Sequence, residues 1–170
     1  MKRILDRFFG SRAPESVQPE LPQKSLMELA DEYIALMGPY DRSAQEVRGL
    51  KRRLCKLMEK HEIKYIARKD CLVRTAFSMS FGWFVEIDPL PPRLDGQVMD
   101  APAAHLIPLV DRLLKADGGY GRDSKRREAA GALVCEAMEA EGRELFLYQG
   151  YQFRKSYKDV NVDRVVDFDG

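Results

Sequence analysis

The sequence predicts an α+β protein. It should consist of two tandem ααβββ repeats related by approximate two-fold symmetry, preceded by a short amphipathic N-terminal segment. Three observations carry that prediction. Sliding the chain by 80 residues without a gap brings Leu26 onto Leu106, Leu29 onto Leu109, Asp31 onto Asp111, Gly38 onto Gly118 and Tyr40 onto Tyr120. The match continues through Arg42 and Arg122, Cys55 and Cys135, Met58-Glu59 and Met138-Glu139, and Arg74 and Arg154. Within each copy the apolar spacing changes from near four to two, the mark of helices followed by strands. Proline-containing polar stretches separate the parts, giving segment and linker 1–24, repeat one 25–88, linker 89–103 and repeat two 104–170.

Residues 1–10 place Ile4, Leu5, Phe8 and Phe9 at helical spacing against Lys2, Arg3 and Arg7. The apolar stretch is too short for a secretory signal, and a helix packed on the body or a frayed end accounts for it more simply than a docking helix. Pro14, Pro19 and Pro22 make 11–24 an extended linker.

Repeat one opens with Ser25 three residues before Glu28, the pattern of a capping box. Leu26, Leu29, Ala30, Tyr33, Ile34 and Met37 then form one helical stripe, and Gly38-Pro39 should end the helix. Ser43 and Glu46 read as a second capping box. A longer helix follows, with Val47, Leu50, Leu54, Leu57 and Met58 inward, ending near Lys60. Repeat two places Leu106, Leu109, Val110, Leu113 and Leu114 before Gly118-Gly119, then Ala130, Leu133, Val134, Ala137 and Met138. Strands are expected at 63–68 and 71–77 around Lys69-Asp70, and at 143–148 and 151–157 around Gln149-Gly150. One extra residue aligns a third pair, 83–88 with 164–169. Units this small should pair over one shared core, as a fused dimer would, making the chain a monomer with internal pseudo-symmetry.

The balance of 28 Lys and Arg against 27 Asp and Glu leaves no global field to attract a partner. No apolar run reaches the roughly 18 residues a transmembrane helix needs. Three widely spaced cysteines form no disulfide framework, which points to a reducing, cytoplasmic setting. Charge is instead local. Between Arg42 and Arg74 stand eleven basic residues and four acidic ones. Opposite the apolar stripe lie Arg48, Arg52, Arg53, Lys56 and Lys60, diluted by Glu59, and Arg68, Lys69 and Arg74 add charge on the neighbouring hairpin. These eight residues form the candidate site for a phosphate backbone or an acidic protein. A solvated helix face, or one neutralised by the chain's own carboxylates, explains them equally well. The second copy turns acidic, with Glu128, Glu136, Glu139 and Glu141, so a partner would be met asymmetrically.

Other constellations are weaker. Arg74 and Arg154 should each pair with a carboxylate of their own unit. Glu86 and Asp88, with Asp167 and Asp169, have the two-residue spacing of carboxylates in some divalent-metal nucleases, but exposed strand polarity explains them more simply. Tyr148, Tyr151, Phe153 and Tyr157 beside Arg154, Lys155 and Lys158 are similar to a base-stacking platform, yet inward sheet residues suffice. Cys55 and Cys135 fall at the margin of their stripes as small core residues, and His61 and His105 lie in no nucleophile motif. No phosphate-binding loop, dinucleotide fingerprint or G-x-S-x-G is present, and no cofactor is expected.

The leading expectation is a non-enzymatic protein whose basic helix and hairpin engage nucleic acid or a nucleoprotein complex. The alternative is an inhibitor or adaptor for a protein partner, docking through exposed aromatics such as Phe8, Phe9 or Trp83. A helical hairpin feeding a short β tail loosely resembles accessory and inhibitor proteins of phages and mobile elements, in texture and through no specific motif. A metal-dependent phosphodiesterase comes third.

Overall fold

A computed structural model describes residues 24–91 and 104–165. The N-terminal amphipathic segment, most of the linker at 89–103 and the final residues 166–170 lie outside the described residues. The architecture is α+β: two long helices and two three-stranded antiparallel sheets. Helix α1 (Leu26–Lys60) leads into β1 (Tyr65–Arg68), β2 (Cys71–Ser78) and β3 (Gly82–Pro89). After a 3₁₀ turn at Ala104–Leu106, α2 (Ile107–Ala140) leads into β4 (Leu145–Tyr148), β5 (Tyr151–Ser156) and β6 (Asp159–Arg164). The central strand of each sheet is its second, so β1, β3, β4 and β6 are edges.

The expected helical pairs are in fact single helices. Pro39 lies inside α1, and Gly118, Gly119 and Gly121 lie inside α2. A proline within a helix costs about 3 kcal/mol against alanine and a glycine about 1. Packing at both ends of each helix outweighs that cost. The start of α1 (Leu26, Leu29, Ala30, Tyr33) packs on the end of α2 (Val134, Cys135, Met138) with Phe146, Phe153 and Val160. The end of α1 (Val47, Leu50, Leu54, Cys55, Met58) packs on Leu106 of the 3₁₀ turn and the start of α2 (Val110, Leu113) with Ile66, Val73 and Val85. The helices are therefore antiparallel, and a break at Pro39 would separate two seams that share one partner. Burial falls in two clusters, each drawn from both helices, and not in one continuous core.

Between the clusters Tyr40 and Tyr120 meet, rings 5.5 Å apart and hydroxyls 3.2 Å apart. The Arg127 guanidinium lies 4.4 Å from the Tyr40 ring centroid. The Tyr40 hydroxyl, followed by burial, pushes the Tyr120 phenol up. Ser43, read as a cap, instead donates its hydroxyl to the Tyr40 carbonyl one turn back (2.9 Å), and Glu46 pairs with Arg112 of α2 at 3.0 Å. The capping box at Ser25 and Glu28 does form. Its hydrogen bonds from Ser25 hold the Glu28 carboxyl below the usual carboxylate range.

Both helices end alike. The Ile63 and Arg143 amides each donate to the carbonyl five residues back (2.8 Å), with Glu62 and Gly142 in the left-handed region. The first aspartate of each helix then holds the other half's first hairpin. Arg68 donates twice to Asp111, both at 2.8 Å, while the Tyr148 hydroxyl (3.2 Å) and the Gln149 amide (2.8 Å) donate to Asp31.

The third strand of the second half is also corrected. It runs Asp159–Arg164, not 164–169, because β5 turns back directly at Tyr157-Lys158, with Lys158 at φ 58°. Val160 sits opposite Lys155 where Val85 sits opposite Thr75, so the spacing between these strands is 75 residues and not 81. The β2–β3 hairpin is correspondingly longer: paired residues continue to Ser78 and Gly82 around a tip at Met79, Ser80 and Phe81.

Candidate nucleic-acid interface

The eight basic residues singled out in the sequence divide into two groups. Arg48, Arg52, Arg53, Lys56 and Lys60 are exposed along the carboxy-terminal half of α1, the face left over once Leu50, Leu54, Cys55 and Met58 turn inward. Arg48 donates to the Ala44 carbonyl of its own helix at 3.2 Å. Arg52, Arg53, Lys56 and Lys60 pair with no carboxylate among the described residues.

The hairpin cations contribute less than the sequence suggests. Arg68 is committed to Asp111 by a two-pronged ion pair that joins the first sheet to α2. That pairing holds the Asp111 carboxyl below its ordinary range. Arg74 meets Asp88 at 2.6 Å and Glu86 at 2.5 Å, and its guanidinium is pushed further up by Asp88 first. The Glu86 contact is an ion pair without hydrogen-bond alignment. Lys69 remains exposed, in the left-handed region at the β1–β2 turn.

The same pairing accounts for Glu86 and Asp88, which serve as counter-ions to Arg74. Asp167 and Asp169 lie outside the described residues. Among the described residues no group of three or more His, Cys, Asp or Glu could hold a metal ion. Arg154, expected to pair as Arg74 does, faces Asn161 across the strands and has no carboxylate partner among the described residues. Burial first, then Glu59, pushes the Cys55 thiol up, which disfavours the thiolate a nucleophile requires. His61 and His105 stack edge to face, centroids 4.6 Å apart, at the junction of the helix ends.

Beside the basic face lies a groove of about 830 Å³ between α1 and β3. Arg48, Arg52 and Lys56 line one wall, and Phe81, Trp83 and Phe84 the other. Lys51, also in the wall, is drawn toward Asp117 of α2 at 3.7 Å. The hairpin continues past the end of its core, so its tip is uncovered. Phe77, Met79, Phe81 and Trp83 are 57, 95, 84 and 58% exposed, and the Phe77 and Trp83 rings meet edge-on at 5.4 Å.

The second-half aromatics face inward, as expected of sheet residues, except Tyr157, which is exposed. Phe153 is fully buried, stacked on Phe146 at 4.6 Å and edge-on to Tyr33 at 5.9 Å, and Tyr148 and Tyr151 pack against the same cluster. The sequence signal for the exposed hairpin tip is length. Five more residues lie between the paired positions Thr75 and Val85 than between their counterparts Lys155 and Val160, and the longer stretch carries Met79 and Phe81.

Among the described residues no helix is long and apolar enough to cross a membrane. Compared with protein-family models, curated proteins and solved structures, the chain matches none.

Proposed function

We propose that this chain is a non-enzymatic binding protein that engages nucleic acid, alone or in a nucleoprotein complex, through the basic face of α1. The observation that carries the reading is the row Arg52, Arg53, Lys56 and Lys60, exposed and unpaired among the described residues on one rigid helix. Burying or pairing these residues internally would have neutralised the face, as happened to Arg68 and Arg74. The corresponding face of α2 carries Glu128, Glu136 and Glu139, so the polyanion would meet one half only.

The reading includes a tandem duplication of one αβββ unit, its halves related by approximate two-fold symmetry about the Tyr40–Tyr120 contact, acting as a monomer. Its three free thiols suit a reducing cytoplasm. A second reading, an inhibitor or adaptor for a protein partner, draws support from the exposed apolar hairpin tip.

The test is charge reversal. Arg52→Glu with Lys56→Glu should abolish binding of a mixed-sequence oligonucleotide at low salt while leaving thermal stability within about 0.5 kcal/mol. Neutralising the same two positions with glutamine should reduce the slope of log affinity against log salt by about 2. Binding that ignores salt, or a charge-reversed variant that binds normally, refutes the reading.

A further inference from the structure

We infer that the groove between α1 and the long hairpin is a single-strand site. In it phosphates would lie along Arg48, Arg52 and Lys56 and unpaired bases would stack on Trp83 and Phe81. The inference rests on the nucleic-acid reading above and sharpens it to one strand. Arg48, Arg52 and Lys56 recur every four residues, so they form a ladder on α1 with a rise of about 6 Å per step. A flexible polyanion can follow such a ladder one phosphate at a time. Facing it across the groove, Trp83 and Phe81 expose most of their surface to water, 58 and 84% respectively.

Exposed aromatic faces beside a row of cations are what sequence-tolerant single-strand sites use, because every base has a π face and every nucleotide a charge. A duplex offers only the second of these, since its bases are stacked on one another and its outer surface is phosphate. The acidic residues near the groove do not cancel the ladder. Glu86 and Asp88 share the one charge of Arg74, so Glu59 and one further net negative charge stand against the three cations Arg48, Arg52 and Lys56. Phe77, opposite Trp83 on the neighbouring strand, meets the indole edge to face and restricts the ring that a base would stack on.

Trp83 is the chain's single tryptophan, so in the folded protein tryptophan emission reports the surroundings of this one side chain in the groove wall. The full chain would be titrated at low salt with an oligothymidylate of about twelve nucleotides, and separately with a duplex of the same length. Binding is followed by anisotropy of an end label together with Trp83 emission. The expected result is tight binding of the single strand with quenched Trp83 emission, weaker binding of the duplex, and unquenched emission with the duplex. Trp83→Ala should weaken single-strand binding roughly 5- to 150-fold, the worth of one stacked base, and Trp83→Phe should restore part of it. Circular dichroism of both variants should match the parent, because the side chain lies outside the core.

If both nucleic acids bind, and Arg52→Glu with Lys56→Glu abolishes this, but Trp83 stays unquenched, the groove inference falls and the basic-face reading stands. If neither binds, both fall. If poly-glutamate quenches Trp83 and competes as well as the oligonucleotide does, the groove takes an acidic polypeptide and the inference is again overturned.

Discussion

An open groove runs between α1 and β3 in the first half, whereas in the second half the start of β6 comes directly against α2 at Gly131. The difference comes from a few residues. At position 131 of α2 the residue is Gly, and a Cβ built there would lie 2.1 Å from the Asp159 carboxylate and 3.3 Å from the Tyr33 ring. Eighty residues earlier α1 carries Lys51, whose side chain lines the groove instead of yielding it to β3. The hairpins differ in the same sense: β5 and β6 turn at two residues, while β2 and β3 run on and lift four large apolar side chains into solvent. Among their many differences, the two halves thus diverge at this helix position, at one turn and in the charge of one helix face. The lesson is that core residues set the scaffold, and the non-core residues set what it presents.

The largest effects should come from the cores, where the halves are alike. Met58 and Met138 are both fully buried, so Met58→Ala and Met138→Ala should each cost about 2–5 kcal/mol in urea unfolding. Because each cluster draws on both helices, both variants should show one transition, with Trp83 fluorescence and far-ultraviolet circular dichroism coincident. Separate transitions by the two probes would break the comparison by showing halves that fold independently.

Next comes the middle of the helices. Pro39→Ala restores an amide that can bond to the Ala35 carbonyl and should stabilise by up to about 3 kcal/mol. Gly119→Ala in α2 should gain about 1 kcal/mol. Loss of stability in thermal melts of Pro39→Ala would mean that the continuous helix carries a bend the packing needs.

A smaller effect separates the halves directly. Gly131→Ala should cost about 1–3 kcal/mol, since Asp159, which accepts from the Val160 amide at 2.8 Å, must move. In an Asp159→Ala background the same change should lose most of that cost, and Lys51→Ala in the other half should stay within about 0.5 kcal/mol.

The smallest concerns acid. Arg68 depresses the Asp111 carboxyl, so its contribution to stability is full above the unfolded carboxylate's pKa and is lost as pH falls through the lower, folded value. Asp111→Asn should therefore flatten the acid limb of the stability–pH curve. An unchanged acid limb would show that the ion pair, being partly solvated, contributes nothing measurable.

Much of the scaffold was legible in the residues. The apolar stripes of α1 and α2, the capping box at Ser25, the turns at Lys69-Asp70 and Gln149-Gly150, and the basic face from Arg48 to Lys60 follow from spacing and from the chemistry of each side chain. These are local properties, decided within a few residues. What local signals got wrong was Gly38-Pro39, the turn read from Gly118 to Arg122 and the register of β6. A distant partner decided the first two, and the tight turn at Tyr157-Lys158 decided the third. The antiparallel helix keeps α1 continuous across Pro39 because both of its ends need the same neighbour. Asp111 claims Arg68, a pairing that depends on how helix and sheet come together, whereas Glu86 and Asp88 claim Arg74 within its own sheet, as the sequence led one to expect. Aromatic residues at strand spacing are buried in β5 and exposed beyond Val85 because the helices cover only so much of each sheet, and that reach is a property of tertiary packing that no local pattern encodes.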